Sequence, residues 1–193
     1  LPRLIASLVS MAGRSQQTTV DAFCAAVAGS PVLEREITDR AFAKARDRLH
    51  APALDQLNHH VVKHADDAGL VPRWRGLRVV AADASVLHPA VRPCLLSRSS
   101  ADPDQRLFGL FLPGIELMLH ASVHSHLEGE RSMLVHALDQ LDPASDLLVL
   151  DRGYPAAWLV ALLVALLGAR GINFVMRCDG ASFAAVRKFM RSG

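Results

Sequence analysis

The stretch Leu147-Leu148-Val149-Leu150-Asp151-Arg152-Gly153-Tyr154-Pro155 sets an apolar run directly against a carboxylate, with a turn behind it. A continuous apolar run of this length reads as a strand buried on both faces of a sheet, and polar groups at the carboxyl ends of such strands face a shared crevice. A second run, Leu77-Arg78-Val79-Val80-Ala81-Ala82, ends the same way at Asp83, and the chain turns polar at Ser85. Two strand-end aspartates 68 residues apart repel one another in one crevice unless a cation lies between them. Mg²⁺ suits that place, because it takes one or two carboxylates and leaves positions for water and phosphate oxygens. Phosphodiester chemistry is the expectation that follows. The structural alternative is that each aspartate caps the helix or turn behind it, since Asp is a good N-cap and Pro155 fits a first helical turn.

The residues around both aspartates also carry a resemblance. Val79-Val80-Ala81-Ala82-Asp83-Ala84-Ser85 and the Asp151-Arg152-Gly153-Tyr154 element, in this order and spacing, resemble the catalytic core of insertion-sequence transposases of the Asp-Asp-Glu (DDE) type. More narrowly, they resemble the insertion-sequence-four group. Thr38-Asp39-Arg40-Ala41-Phe42-Ala43-Lys44-Ala45-Arg46-Asp47-Arg48-Leu49 is similar to a helical segment that precedes the core in that family, and Glu128-Gly129-Glu130-Arg131-Ser132 falls where the family often has an acidic helix start. The resemblance spans roughly residues 35 to 180, with Ala84 standing where the family usually has Gly.

Outward from the two aspartates, the pattern predicts a strand at 77–83, extended segments within 107–125, and a helix at about 129–141. A strand at 147–151, a helix at 155–168 and a strand at 172–177 follow. The fold class expected is α/β. Three strands, a helix, a strand, a helix and a fifth strand is the order of the ribonuclease H-like fold that the resemblance implies. Residues 84–106, with Pro89, Pro93 and Pro103, read as an exposed loop. Residues 1–72 show helical spacing instead, through Ile5, Leu8, Val20, Phe23, Phe42, Leu49, Leu54, Leu57 and Val61. The expected organisation is an all-helical N-terminal domain over 1–72, a DNA-binding candidate, followed by a partial ribonuclease H-like core over 73–193.

The resemblance implies metal-assisted phosphoryl transfer of the cut-and-paste kind, with Asp83 and Asp151 as catalytic acids and ligands of Mg²⁺ or Mn²⁺. Transposon-end DNA and target DNA are the implied partners, with a homodimer pairing two ends. Arg152 and Tyr154 are candidate DNA-end contacts; anchoring of the turn is the equal alternative. The family's third acid is a glutamate in a downstream motif of tyrosine, arginine, glutamate and lysine. No such motif is present: the last glutamate is Glu130, and the only acid after Asp151 is Asp179. With Leu1 in place of Met and a stop at Gly193 within a basic amphipathic stretch, the expectation is a truncated or decayed transposase, inactive alone. A non-catalytic DNA-binding remnant that competes with intact transposase is the alternative. A small-molecule α/β enzyme is a third reading, against which stands the absence of a Gly-rich phosphate loop after the first strand.

The charge supports contact with phosphate only through its distribution. The formal net charge is +2, but residues 152–193 carry 6 basic and 1 acidic side chains. Along 38–49, Arg40, Lys44 and Arg48 recur every four residues and form one face, with Ala41, Phe42, Ala45 and Leu49 expected to turn inward. Such a face can track a DNA backbone or simply be solvated. Three cysteines, Cys24, Cys94 and Cys178, show no Cys-x-x-Cys pairing and exclude a zinc ribbon. Pro155–Leu167 is apolar for only 13 residues, short of the roughly 20 that span a bilayer. It is expected to be a buried helix with Trp158 facing the core, in a soluble cytoplasmic protein. His60 and His64 have zinc-ligand spacing without a third ligand, and His120, His124 and His126 share parity on an extended segment; hydrogen-bonded or surface roles are expected for all five. Ser85 lacks a nucleophile elbow and is expected to serve a turn.

Overall fold

A computed structural model describes residues 2–10, 15–32, 35–88 and 104–192. Two compact units divide the chain, Leu1–Gln56 and Leu57–Gly193, and the division falls within a helix, whereas the sequence pattern changes at residues 72–73.

In the first unit the elements are α1 (Pro2–Val9), α2 (Gln16–Ala28), α3 (Asp39–Asp47) and the start of α4 (Ala51–Asp67). Ser15 caps α2 by accepting from the Thr18 N–H, and Gly29 ends it at φ 63°, a left-handed conformation that glycine adopts without a Cβ clash. Thr38 caps α3 through the Ala41 N–H at 3.2 Å. A small core gathers Val20, Cys24 and Phe42, with Leu4 and Leu8 against it. Of the residues expected to turn inward on α3, Phe42 is buried and Leu49 half-buried, but Ala41 and Ala45 are exposed. Both line an apolar groove with Leu4, Val20 and Phe23, which leaves the helix face beside Phe42 open.

The second unit is built on a mixed sheet of six strands. Its elements are β1 (Arg73–Trp74), β2 (Leu77–Leu87), β3 (Gln105–Leu112), β4 (Leu117–Ser125), α5 (Glu130–Ala137), a 3-10 turn (Leu138–Gln140), β5 (Asp146–Leu150), α6 (Ala157–Arg170), β6 (Asn173–Met176) and α7 (Ala184–Ser192). The strand order is β4-β3-β2-β5-β6, with β1 pairing β2 at the side. Strands β2, β3 and β4 are antiparallel neighbours, while β5 runs parallel to β2 and β6 parallel to β5. From β2 onward this is the element order expected of a ribonuclease H-like core.

Three boundaries differ from the sequence reading. Strand β2 does not stop at Asp83 but continues to Leu87, because its outer half pairs with β3 from Ala81 through Leu87. Ser85 therefore lies within a strand, opposite Leu107, and serves no turn. The extended region resolves into a hairpin whose turn contains Pro113 and Gly114 and ends at Glu116, φ 55°. Most of the loop expected at 84–106, with Cys94 and the three prolines, lies outside the described residues.

The central strand β5 is buried along both faces, with only Val149 half-buried, whereas Val123 of β4 and Val175 of β6 stay exposed at the sheet margins. Val80, Phe108, Leu110, Met133, Leu134, Leu148, Leu150, Leu159, Leu163 and Leu167 form one buried cluster, joined by Val62 and Ala65 of α4. Helix α6 buries the stripe Leu159, Leu163 and Leu167 and exposes its other side, so Trp158, expected to face the core, is 54% exposed. A helix that is apolar all round has no phase from which its inward face can be read. No described helix is long and apolar enough to cross a membrane.

Candidate active site

One buried ion pair sets the register on which the site depends. Arg78, second in β2, meets Asp146, first in β5, through Nε–Oδ1 at 2.6 Å and Nη2–Oδ2 at 3.0 Å. Asp66 of α4 adds a contact to Arg78 at 3.4 Å and binds Arg73 at 2.6 Å. Burial works against the Arg78 charge, but the bond to Asp146 and the fields of Asp146, Asp66 and Asp142 outweigh it and raise its pKa above the ordinary guanidinium value. The parallel ladder then runs from Arg78↔Asp146 to Ala81↔Val149. Two residues beyond the last of these pairs stand Asp83, still within β2, and Asp151, the first residue after β5, 68 residues apart like the ion pair itself. Continued by two residues, that register would bring the two aspartates level, on neighbours about 4.8 Å apart, and the charges of both reach the buried Tyr154 phenol. Within β2 the Asp83 side chain shares a face with Ala81, because side chains alternate along a strand.

Both aspartates are exposed. Asp83 Oδ1 accepts from the Ala84 N–H at 2.9 Å, and Asp151 Oδ1 from the Gly153 N–H at 2.7 Å. Neither caps a helix: α6 begins six residues after Asp151, and its N-cap position, Ala156, offers no side-chain cap. The helix part of the capping alternative fails for Asp151, but the turn part holds: one carboxylate oxygen caps the tight turn behind it, and the other has no hydrogen-bond partner among the described residues.

The turn after β5 is clamped from α5. Arg131 donates through Nη2 to the Gly153 carbonyl at 2.7 Å and through Nε to the Tyr154 carbonyl at 3.1 Å. Tyr154 is wholly buried, and its hydroxyl donates to Glu130 Oε1 at 2.7 Å. Burial raises the Tyr154 pKa far above the phenol range, with further upward pushes from the Glu130 bond and from the Glu130, Asp83 and Asp151 charges. Three carboxylates thus act on one phenol. A side chain with no exposure cannot reach DNA, so Tyr154 is an anchor of the turn and not a contact residue. Arg152 beside it is exposed, and its charge helps hold Asp179 below the usual carboxylate range, behind the Ser182 and Ala181 hydrogen bonds to Asp179.

The sequence pointed to Asp83 and Asp151; the structure adds Glu130 and Arg131. A Cβ built at Gly153 would lie 3.0 Å from Asp151 Oδ1 and 3.6 Å from Glu130 Oε2, so Gly153 occupies the gap between these two carboxylates. In the sequence Glu130 is only part of an acidic helix start, a local signal that says nothing of where the helix packs. Asp179 is held by its own turn, bonded to Ser182 and Ala181. Asp83, Asp151 and Glu130 do not close into a three-ligand cage; among the described residues that arrangement is found at His124, Glu128 and His136. The donor set at the strand ends, carboxylate oxygens open to solvent, suits a Mg²⁺ that keeps most of its waters. On α3, Arg40, Lys44 and Arg48 are all exposed.

No protein-family model matches the chain, and no curated relative matches it. Among solved structures, the Mos1 strand transfer complex is similar with a TM-score of 0.36 at 10% identity, over 99% of this chain and 63% of that one. The Mos1 transposase paired-end complex with left transposon end gives 0.34 at 10% identity, over 99% and 69%. The Mos1 mariner paired end complex with Mn gives 0.34 at 10%, over 98% and 69%. This chain spans less than two thirds of the first of these chains. Likeness at this level carries no functional weight.

Proposed function

We propose that this chain is part of a DDE-type transposase of the insertion-sequence-four group, with a helical DNA-binding domain over 1–72 and a partial ribonuclease H-like core over 73–193. The observation that carries the reading is that Asp83 and Asp151 each stand five residues beyond the buried Arg78–Asp146 pair of two parallel, paired strands, Asp83 within β2 and Asp151 just past the end of β5. Together with the motifs around each aspartate, this supports a site for strand cleavage and transfer at transposon ends.

Asp83 and Asp151 would hold Mg²⁺ or Mn²⁺. Such an ion, when bound, supplies Lewis-acid activation of water or a 3′-hydroxyl and stabilises the leaving oxygen. The chain's own groups do the positioning. The Gly153 N–H orients Asp151, Arg131 holds the turn by its carbonyls, and Tyr154 keeps Glu130 facing it. Arg152, exposed next to Asp151, would meet a phosphate at the transposon end, and the exposed Arg40, Lys44 and Arg48 would meet the duplex backbone. A homodimer pairing two DNA ends belongs to this reading.

A second reading is a non-catalytic DNA-binding protein that competes with intact transposase, for which the exposed Arg40, Lys44 and Arg48 would serve without Asp83 and Asp151. Binding to duplex DNA, followed by nicking with Mg²⁺, tests both. Reversing Arg40, Lys44 and Arg48 to Glu should lower affinity and reduce the slope of log K against log salt by about 2.7, at roughly 0.9 per phosphate contact. An unchanged slope would remove α3 from the interface. Mg²⁺-dependent nicking that disappears in Asp151→Asn supports catalysis; salt-dependent binding without nicking supports the second reading.

A further inference from the structure

The connection from β4 to α5 gathers three ligating side chains that the transposase reading does not use. His124 is on β4, Glu128 in the turn, and His136 on α5. One nitrogen of each imidazole and the Glu128 carboxylate all lie within 4.8 Å of one another. His124 Nδ1 is 2.9 Å from Glu128 Oε2, and His136 Nδ1 is 3.2 Å from Glu128 Oε1. The rings are stacked, with centroids 6.4 Å apart and planes within 18°. Ligands around a tetrahedral zinc, bonded at about 2.0–2.1 Å, stand roughly 3.3 Å apart. The two measured edges are already close to that.

Two details favour an ion over a plain hydrogen-bonded cluster. Glu128 Oε1 is buried, and among the described residues no donor is aligned to hydrogen-bond it; the 3.2 Å approach of His136 lacks that alignment. A buried carboxylate oxygen without a donor is uncommon. In addition, His124 Nε2 lies 2.7 Å from Ser122 Oγ. If Nε2 carries the ring proton and donates it to the hydroxyl, Nδ1 faces Glu128 as a lone pair, the arrangement in which an outer partner orients a metal-bound imidazole.

We propose that His124, Glu128 and His136 form a zinc site, with water as the fourth ligand, that ties the end of β4 to α5. Two imidazoles and a carboxylate are a donor set zinc commonly takes. His136, 65% exposed, leaves a way in for the ion. The site is distinct from the Asp83 and Asp151 pair, and by holding α5 it stiffens the helix that carries Glu130 and Arg131.

Zinc titration of the purified, metal-stripped chain against a chromophoric chelator tests this. One equivalent of tightly bound Zn²⁺ is expected, with affinity lowered at least ten-fold in His136→Ala and in Glu128→Gln, and unchanged in Asp83→Asn and in His60→Ala on α4. His136 is exposed and Gln is isosteric with Glu, so both variants should keep the fold, checked by circular dichroism. Absence of stoichiometric binding, or binding that survives both His136→Ala and Glu128→Gln, overturns the proposal. Loss in His60→Ala would also overturn it, by placing the zinc elsewhere.

Discussion

Tyr154 is the only tyrosine in the chain, so its ionisation can be followed without interference from a second phenol. It is buried, it donates to Glu130, and its pKa is raised first by burial and then by that bond and by the surrounding carboxylates. In the unfolded chain the phenol loses its proton near pH 10. Between that pH and the higher folded value, the folded state binds one more proton than the unfolded state. Stability is therefore intact below pH 10 and falls by about 1.4 kcal/mol for each pH unit above it. At pH 11.5 the loss is about 2 kcal/mol. Tyr154→Phe should abolish this increment of alkaline sensitivity while costing about 1–2 kcal/mol at neutral pH, since it takes a donor from a half-buried Glu130 carboxylate. Tyrosinate absorbance measured alongside urea denaturation, from pH 9 to 11.5, reads both effects. The comparison with Tyr154→Phe cancels the titration of lysines and thiols. Native tyrosinate appearing with a midpoint near 10, or equal alkaline slopes in the two proteins, would refute the account of the turn.

Asp146→Ala should destabilise the second unit by about 3 kcal/mol in urea denaturation, the low end for a broken buried pair because Asp66 remains 3.4 Å from Arg78. The double variant Arg78→Met/Asp146→Leu should recover most of that loss, and a double variant no more stable than Asp146→Ala would show that the pair is not the source of the cost. Gly153→Ala should weaken Mn²⁺ binding several-fold with a stability change of no more than about 1 kcal/mol, because its Cβ would crowd Asp151 Oδ1 at 3.0 Å. Isothermal titration of Mn²⁺ into both proteins decides it, and equal affinities would count against Asp151 as a ligand.

The parts of the site legible in the sequence are those carried by a local pattern. Apolar runs ending in Asp83 and Asp151 marked two neighbouring buried strands, and both strands are present, although β2 runs on past Asp83 because β3 pairs with its outer half. Arg78 lies inside an apolar run, but its partner Asp146 is 68 residues away, and only the sheet register brings them together. Glu130 and Arg131 reach the turn after β5 through packing of α5, which no spacing rule encodes. On α6 apolar residues surround the helix, so spacing does not mark Trp158 as outward; packing buries Leu159, Leu163 and Leu167 instead. His120, His124 and His126 share parity, yet β4 ends at Ser125, and the partner that matters to His124 is Glu128 across the turn.

The central claim is that Asp83 and Asp151 hold a divalent ion together. Electron paramagnetic resonance of Mn²⁺, titrated into the His136→Ala protein to silence the histidine cluster, tests it most directly. The account predicts saturable Mn²⁺ binding whose affinity falls at least ten-fold in Asp83→Asn and again in Asp151→Asn. Binding that persists unchanged in both variants would contradict it.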